Sequence, residues 1–176
     1  MSVRLLAISG SLRAVSTNTA LLRAAMLLQP AGMKIEFYDG LAALPHFNPD
    51  DDVEPLPPTV ADWRAKVAAA DGLLISSPEY ARGIPGSLKN ALDWLVSGPE
   101  HPGKPIAFFH ASERGVASQA ALRLVLETMG TRIVDSACIT INLLGTEKDP
   151  ATVAANPDYA AKITGALNAF AREIAA

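Results

Sequence analysis

Apolar positions along the chain follow two patterns, short continuous runs and longer segments in which apolar residues recur at helical spacing. Four runs are almost entirely apolar: Val3–Ile8, Gly72–Ser76, Pro105–Phe109 and a stretch within Ile133–Ile141. Strands that are covered on both faces have this composition. Because helical patterns separate the runs, the chain is predicted to be an α/β protein with a parallel sheet between two layers of helices.

A fifth run, Met33–Phe37, has a different pattern, because its apolar and charged residues alternate. One face of this strand therefore meets water, which predicts a position at the edge of the sheet. The strand order 2-1-3-4-5 requires its second strand at an edge, although the Rossmann order also tolerates one there. We predict a flavodoxin-like three-layer sandwich with a five-stranded parallel sheet in the order 2-1-3-4-5.

Helical spacing of apolar residues predicts four helices between and after these strands. They are a helix capped by Asn18 and ended by 29–32, a helix with its stripe from Leu88 to Leu95, a helix around Ala117–Val125, and a last helix from about Ala151 to Phe170. The segment Asp39–Pro58, rich in proline and aspartate, is the only long loop that we predict. No repeat or linker interrupts the pattern, so residues 1–176 are expected to form one domain.

Composition narrows the classes of partner. The formal net charge of −3 argues against the broad basic face that nucleic-acid binding needs. The single cysteine, Cys138, excludes an internal disulfide and a thiolate zinc site, and it fits a reducing compartment. His46, His101 and His110 share no metal-like spacing, so no metal site is expected. No uncharged stretch reaches membrane-spanning length, and we expect a cytoplasmic protein without nucleic-acid or membrane partners.

The loop after the first strand is rich in hydroxyl groups and leads into a helix. Ser11, Ser16 and Thr17 supply hydroxyls and Arg13 supplies a positive charge, beside a helix N-terminus with unpaired backbone N–H groups. The chain has neither the GxGxxG loop of dinucleotide sites nor the GxxxxGK[ST] loop of triphosphate sites. The loop therefore favours a terminal phosphate monoester, with a simple helix cap as the alternative interpretation.

Two further loops follow the third and fourth strands, at the sheet edge where parallel α/β proteins bind ligands. The segment Ser77–Gly86 contains two prolines and two glycines, which make a rigid turn suited to the polar edge of a flat heterocycle. The alternative is that these residues only punctuate the connection to the next helix. His110–Gly115 forms the third loop and is weak evidence alone.

Two motifs together, SGSLRAVSTN and PEYARGIPGSLKNALDW, resemble the paired signature of the NADPH-dependent FMN reductase family, which includes quinone, chromate and azo-dye reductases. The resemblance implies an FMN cofactor, a reduced nicotinamide co-substrate and a homodimer or homotetramer. Carried over by position, it implies that the FMN phosphate and ribityl chain contact Ser11, Arg13, Ser16, Thr17 and Asn18. It also implies an isoalloxazine lined by Pro78, Glu79, Tyr80 and Ala81, with Ser112 and Gly115 nearby.

The second motif departs from the family pattern at two positions. Many relatives have Asn at the position of Ala81, and His, Tyr or Gly at the position of Arg82. A cofactor contact at Ala81 is therefore expected to involve the backbone alone. Arg82 is a candidate to attract an anionic acceptor or the nicotinamide phosphate.

The resemblance predicts an NAD(P)H-dependent FMN oxidoreductase with a ping-pong mechanism and a quinone, azo, nitro, metal-ion or free-flavin acceptor. A flavin carries the hydride chemistry itself, so no catalytic acid or base is required of the protein. Three alternatives stay open. They are a flavodoxin-type electron carrier, whose strongly acidic surface this chain lacks, a flavin-free binding or sensor protein on the same fold, and a reductase that releases FMN as a substrate.

Overall fold

A twisted parallel sheet forms the centre of the computed structural model, which describes residues 2–144 and 149–176. Its strands are β1 (Val3–Ser9), β2 (Met33–Tyr38), β3 (Gly72–Ser76), β4 (Pro105–His110), β5 (Arg132–Ile133) and β6 (Ile139–Thr140). The order is β2-β1-β3-β4-β5, and β6 also pairs with β4. All these pairs are parallel. The predicted flavodoxin-like order is confirmed.

Strand β2 lies at the edge of the sheet, as its alternating pattern predicts. Met33 and Ile35 are buried against the sheet's helices, while Lys34 and Glu36 are exposed. Glu36 forms an ion pair with Lys66 at 2.6 Å between Oε1 and Nζ. These charged side chains keep the edge of the sheet exposed to solvent and protect it from pairing with another chain.

The predicted fifth strand is divided into two short strands. Arg132–Ile133 pairs with the start of β4, and Ile139–Thr140 pairs with its end. Between them the chain leaves the sheet in a single 3-10 turn, Asp135–Ala137, which buries Ala137. The turn places Cys138 Sγ 3.3 Å from the backbone N of Phe108, and the thiol accepts the hydrogen bond from this N–H. In a continuous strand a backbone carbonyl would have been the acceptor. Burial raises the pKa of this thiol, which keeps it protonated.

Within residues 2–144 and 149–176, six helices cover the two faces of the sheet. They are α1 (Thr17–Leu27), α2 (Pro58–Ala69), α3 (Gly86–Asp93), α4 (Val116–Thr128), α5 (Pro150–Ala155) and α6 (Pro157–Ala175). Alternate residues of each central strand face opposite helix layers. In β1, Leu5 and Ala7 pack with α1 and α6, while Leu6 and Ile8 pack with α2 and α3. The three-layer arrangement predicted from the apolar runs is thus confirmed.

The helical pattern missed one helix and merged two others. Helix α2, which follows the predicted long loop directly, was not predicted, because its alanine-rich sequence buries only Val60, Trp63 and Val67. The last predicted helix is two helices, because the side chain of Asn156 accepts hydrogen bonds from the N–H groups of Asp158 and Tyr159 and starts a new helix. Among the described residues, no helix combines the length and apolar character needed to cross a membrane.

The segment Asp39–Pro58 contains two short 3-10 turns and is fastened to the helices beside it. Asn90 Oδ1 accepts a hydrogen bond from Phe47 N at 2.7 Å, and Trp94 Nε1 donates to Pro45 O at 2.8 Å. Arg64 forms a largely buried ion pair with Asp52 at 2.7 Å. These contacts hold the long loop against α2 and α3, so it forms a fixed part of the fold.

Candidate functional site

The three polar loops converge on a cleft of about 410 Å³ at the carboxyl ends of β1, β3 and β4. This volume lies within the range of about 300–1,000 Å³ that small-molecule and cofactor sites occupy. The cleft wall consists of Ser11, Arg13, Val15, Ser16, Thr17, Asn18, Ser77, Pro78, Glu79, Tyr80, His110, Ala111, Ser112, Arg114, Gly115, Gln119 and Leu144.

The first loop brings hydroxyl groups and backbone N–H groups to one end of the cleft. Helix α1 begins at Thr17, and Ser16 caps it by accepting a hydrogen bond from Thr19 N. Asn18, expected to be the cap, lies inside the first turn, where its Oδ1 accepts a hydrogen bond from Ser76 Oγ at 2.9 Å. The prediction that Asn18 caps the helix was wrong, because this amide ties α1 to β3 instead.

The first and second loops touch each other at Gly10. Its backbone N donates to Ser76 O at 2.8 Å. A Cβ built on Gly10 would lie 2.6 Å from Ser77 Oγ and 3.1 Å from Ser77 Cβ, so a side chain there would require Ser77 to shift. The absence of a side chain at Gly10 therefore lets the first and second loops form one continuous wall.

The second and third loops are joined by Glu79. Its Oε2 accepts a hydrogen bond from Ser118 N at 2.9 Å, in the first turn of α4. A carboxylate at a helix N-terminus satisfies an unpaired N–H group and interacts favourably with the helix dipole. Gly115, which precedes α4 with φ +91°, allows this approach, since a Cβ there would lie 3.3 Å from the Cβ of Glu79. We call this contact of Glu79 with the start of α4 the Glu79 clamp.

A tight hairpin lies within the second loop. Tyr80 and Gly83 exchange two backbone hydrogen bonds, of 3.2 and 2.9 Å, around the two central residues Ala81 and Arg82. Both central residues have positive φ, 49° and 62°. This conformation is uncommon for residues other than glycine and asparagine. The hairpin thus holds the exposed Tyr80 ring at the wall of the cleft.

The charge of the cleft is mainly positive. Of the described residues in its wall, Arg13 and Arg114 are cationic and Glu79 alone is acidic. The Glu79 carboxylate is already engaged by the α4 N-terminus. The cleft therefore favours an anionic ligand, with the α1 N-terminus and Arg13 at one end and Arg114 at the third loop.

His110 lies at the end of β4 and was not among the predicted site residues. Its ring stacks on Phe108 with centroids 5.5 Å apart. Burial, with a smaller effect from the positive charge of Arg123, lowers the pKa of His110 to about 4. The imidazole is therefore neutral at physiological pH, and it adds no charge to the cleft that it lines.

Because His110 is neutral in the folded protein, the free energy of unfolding should decrease as the pH is lowered. His110 binds a proton near pH 6.5 in the unfolded chain and near pH 4 in the folded chain. Its contribution to the free energy of unfolding is therefore complete above pH 6.5 and is lost as the pH falls toward 4. In urea unfolding at pH 7 and pH 4.5, we expect His110→Gln to remove about 1–2 kcal/mol of the acid-dependent loss. The exposed His46, changed to Gln, is the control. An equal pH dependence in wild type and His110→Gln would contradict this assignment.

Most of the residues assigned by resemblance share the cleft wall. Ser11, Arg13, Ser16, Thr17, Asn18, Pro78, Glu79, Tyr80, Ser112 and Gly115 line it, and Ala81 lies outside it. The wall also contains Val15, Ser77, His110, Ala111, Arg114, Gln119 and Leu144, which were not assigned. The third-loop members of this set follow an apolar strand, which is the one sequence signal that points to them. Gln119 and Leu144 carried no such signal.

The wall fits an FMN molecule in the chemistry of its two ends. Hydroxyls, an arginine and free helix N–H groups suit a phosphate monoester, and Ser16 and Ser11 are nearly buried there. At the other end, Pro78 and Tyr80 offer flat apolar surface beside backbone polar groups. The residues present therefore suit a ligand with a phosphate at one end and a flat heterocycle at the other.

The fold is that of a flavodoxin-like α/β protein, and the chemistry of the cleft suits FMN. A profile of the NADPH-dependent FMN reductase family matches residues 3–143, a range that begins with β1 and contains all three polar loops of the cleft. The chain belongs to the NADPH-dependent FMN reductase family. The family recognised from the two motifs is thereby confirmed, and with it the class of enzyme, an oxidoreductase.

Named relatives agree with this membership. The chain is 45% identical to an NAD(P)H-dependent FMN reductase of Pseudomonas aeruginosa over 112 residues, which cover 62% of this chain and 60% of that relative. It is 31% identical to the quinone reductase of Escherichia coli (strain K12) over 169 residues, 92% of this chain and 89% of the relative.

Solved structures agree with the fold. The structure of FerB, a flavoenzyme NAD(P)H:(acceptor) oxidoreductase from Paracoccus denitrificans, superposes with a TM-score of 0.78 at 25% identity, and the match covers 98% of this chain and 97% of that one. The oxidised flavodoxin 1 of Bacillus cereus superposes with a TM-score of 0.62 at 17% identity and covers 96% of this chain. This second similarity concerns the fold alone.

Proposed function

We propose that this protein is an NAD(P)H-dependent FMN reductase that passes electrons to a small acceptor, with quinones as the acceptor class best supported by its relatives. The observation that carries the proposal is the continuous wall made by the first and second loops. This wall joins the hydroxyls and Arg13 of the first loop, which would hold one phosphate monoester, to the turn of the second loop that carries Tyr80. Azo, nitro, metal-ion and free-flavin acceptors are further members of the proposed range.

The phosphate of the cofactor would lie among Ser11, Arg13, Ser16 and Thr17. The hydroxyls and the N–H groups of the first turn of α1 donate hydrogen bonds, and the guanidinium of Arg13 balances the negative charge. Asn18 is held by Ser76, so it fixes the start of α1 relative to β3 and keeps the donors in place.

The ring system would lie against Pro78 and Tyr80 of the second loop, with Ser112 and Gly115 at the third loop. The Glu79 clamp keeps these two loops at a fixed separation, because it connects the second loop to the first turn of α4. Bound FMN supplies the hydride and electron chemistry, so the protein's part is to bind, orient and exclude competing reactions.

We propose that the reduced nicotinamide and the acceptor use the same open side of the cleft in turn, which is the basis of a ping-pong mechanism. Tyr80, 50% exposed at the rim, offers a ring on which either partner can stack. Double-reciprocal plots of rate against NADPH at several quinone concentrations should be parallel, and intersecting lines would contradict the mechanism.

We also propose that the protein is a homodimer or homotetramer. Large apolar side chains are exposed around the cleft, among them Val15, Val116 and Leu144 with 59%, 69% and 44% of their surface accessible. Clusters of this kind suit contact with a second copy. Light scattering coupled to size-exclusion chromatography tests it, and a monomer at micromolar concentration would contradict it.

Anaerobic reduction tests the proposed activity. The purified protein is loaded with FMN, NADPH or NADH is added without oxygen, and the flavin absorbance near 450 nm is followed before a quinone is added. We expect the nicotinamide to bleach the flavin and the quinone to restore it. Failure of both nucleotides to bleach the flavin would contradict the proposal, and it would favour the electron-carrier alternative if a chemical reductant still bleached it.

A further inference from the structure

The hairpin within the second loop contains an arginine, Arg82, whose presence the hairpin geometry does not explain. A two-residue turn in which both central residues have positive φ favours Asn-Gly or Asp-Gly, because residues with a Cβ are strained there. In this chain the two positions hold Ala81 (φ 49°) and Arg82 (φ 62°). Glycine at the second position would remove that strain without breaking the backbone bonds between Tyr80 and Gly83.

The fold itself gives Arg82 no role. Its side chain is exposed, and it forms no hydrogen bond, ion pair or ring contact with any residue in 2–144 or 149–176. Exposed arginines usually serve solubility, but such a role does not require a strained position. A strained residue with an unused charge beside a cleft points to recognition of a ligand.

The surroundings of the hairpin define the charge of that ligand. Tyr80, the first residue of the hairpin, lines the cleft, as do Arg13 and Arg114. Within the described wall the only carboxylate is that of Glu79, which the α4 N-terminus engages. One phosphate monoester at the first loop uses Arg13. Positive charge therefore remains on the side of the second and third loops, where the second substrate would enter.

We propose that Arg82 is a specificity-determining residue that binds an anionic group of the substrate stacked in the cleft mouth. This inference rests on the proposed function. Two substrates could carry the group, NADPH through its 2′-phosphate or an acceptor through a sulfonate or similar anion. A guanidinium binds either with charge-assisted hydrogen bonds.

The decisive variant is Arg82→Gly. The dissociation constants of NADP⁺ and NAD⁺, and of a sulfonated quinone and its neutral parent, are measured by calorimetry on the FMN-loaded protein. We expect either NADP⁺ or the sulfonated quinone to bind about 5- to 10-fold more weakly. The dissociation constant of its counterpart, NAD⁺ or the neutral quinone, should change less than twofold. The pair that responds identifies the source of the anion. Arg82→Lys, which keeps a charge, should recover part of the affinity.

Stability provides a second readout that separates recognition from structural damage. Because glycine relieves the strain at this position, the melting temperature of Arg82→Gly should be unchanged or up to about 3 °C higher. The control is Arg172→Ala, in the last turn of α6. This turn lies near the amino end of β3, because Phe170 and Ile174 approach Gly72 there. The control removes the same charge at the opposite end of the sheet and should leave both binding ratios unchanged.

Two results would overturn the inference. The first is an Arg82→Gly variant in which neither binding ratio changes by more than twofold. The second is an equal change in the Arg172→Ala control, which would reduce the effect to the net charge of the protein. Because binding is measured without turnover, these outcomes are distinct from failure of NADPH and NADH to reduce the flavin, which contradicts the proposed function instead.

Discussion

Replacing Glu79 with alanine is expected to weaken FMN binding about 10- to 100-fold and to lower the free energy of unfolding by about 2 kcal/mol. The 2.9 Å hydrogen bond from Ser118 N to Glu79 Oε2 is the charged link between the second loop and α4, beside a longer one of 3.4 Å from Ser118 Oγ to Pro78 O. Without the charged link, the N-terminus of α4 loses its carboxylate partner, and the two loops that would flank the flavin ring are held together less firmly. Fluorescence quenching of FMN and urea unfolding measure the two effects.

Two matched variants locate this effect in the Glu79 clamp. Glu79→Gln keeps an acceptor oxygen without the charge, so it should fall between wild type and Glu79→Ala. Glu113→Ala removes an exposed carboxylate of the third loop and should change neither quantity appreciably. If Glu79→Ala bound FMN with wild-type affinity, the clamp would have no part in shaping the cleft.

Arg13→Ala should weaken the binding of FMN about 10- to 50-fold and leave the binding of riboflavin within twofold of wild type. The two ligands differ only in the phosphate, and Arg13 is the cation placed at the first loop beside Ser11 and Ser16. A charge-assisted contact of this kind contributes about 1.5–3 kcal/mol. Titration of both flavins into the flavin-free protein gives the two dissociation constants.

The control for this experiment is Arg23→Ala. Arg23 is an exposed arginine of α1, the helix that follows the first loop. Its guanidinium lies over the Phe37 ring, 4.9 Å from the centroid, and it does not line the cleft. Both flavins should bind this variant as they bind wild type. Equal weakening of FMN and riboflavin in Arg13→Ala would place the phosphate elsewhere.

The central sheet was accessible from sequence because a strand covered on both faces must be apolar throughout. Val3–Ile8 and Gly72–Ser76 show this composition, and the alternation in Met33–Phe37 marks an edge. The first two polar loops were identifiable for a related reason, since each begins directly where an apolar run ends. The two motifs added the family, which spacing alone does not provide.

The remaining features depend on tertiary contacts that no local pattern records. Helix α2 is alanine-rich, so its buried stripe is faint until Trp63 is seen packed against Tyr38. Asn18 has the residue type of a cap, and only its partner on β3 shows that it has another role. The clamp likewise joins Glu79 to Ser118, 39 residues later in the chain.

A crystal structure of the protein with FMN tests the central claim most directly. We expect the phosphate to lie within hydrogen-bond distance of Ser11, Ser16 or Thr17 and of the Arg13 guanidinium, with the ring against Pro78 and Tyr80. Electron density for FMN at another surface, or with its phosphate at the third loop and its ring over α1, would contradict the account.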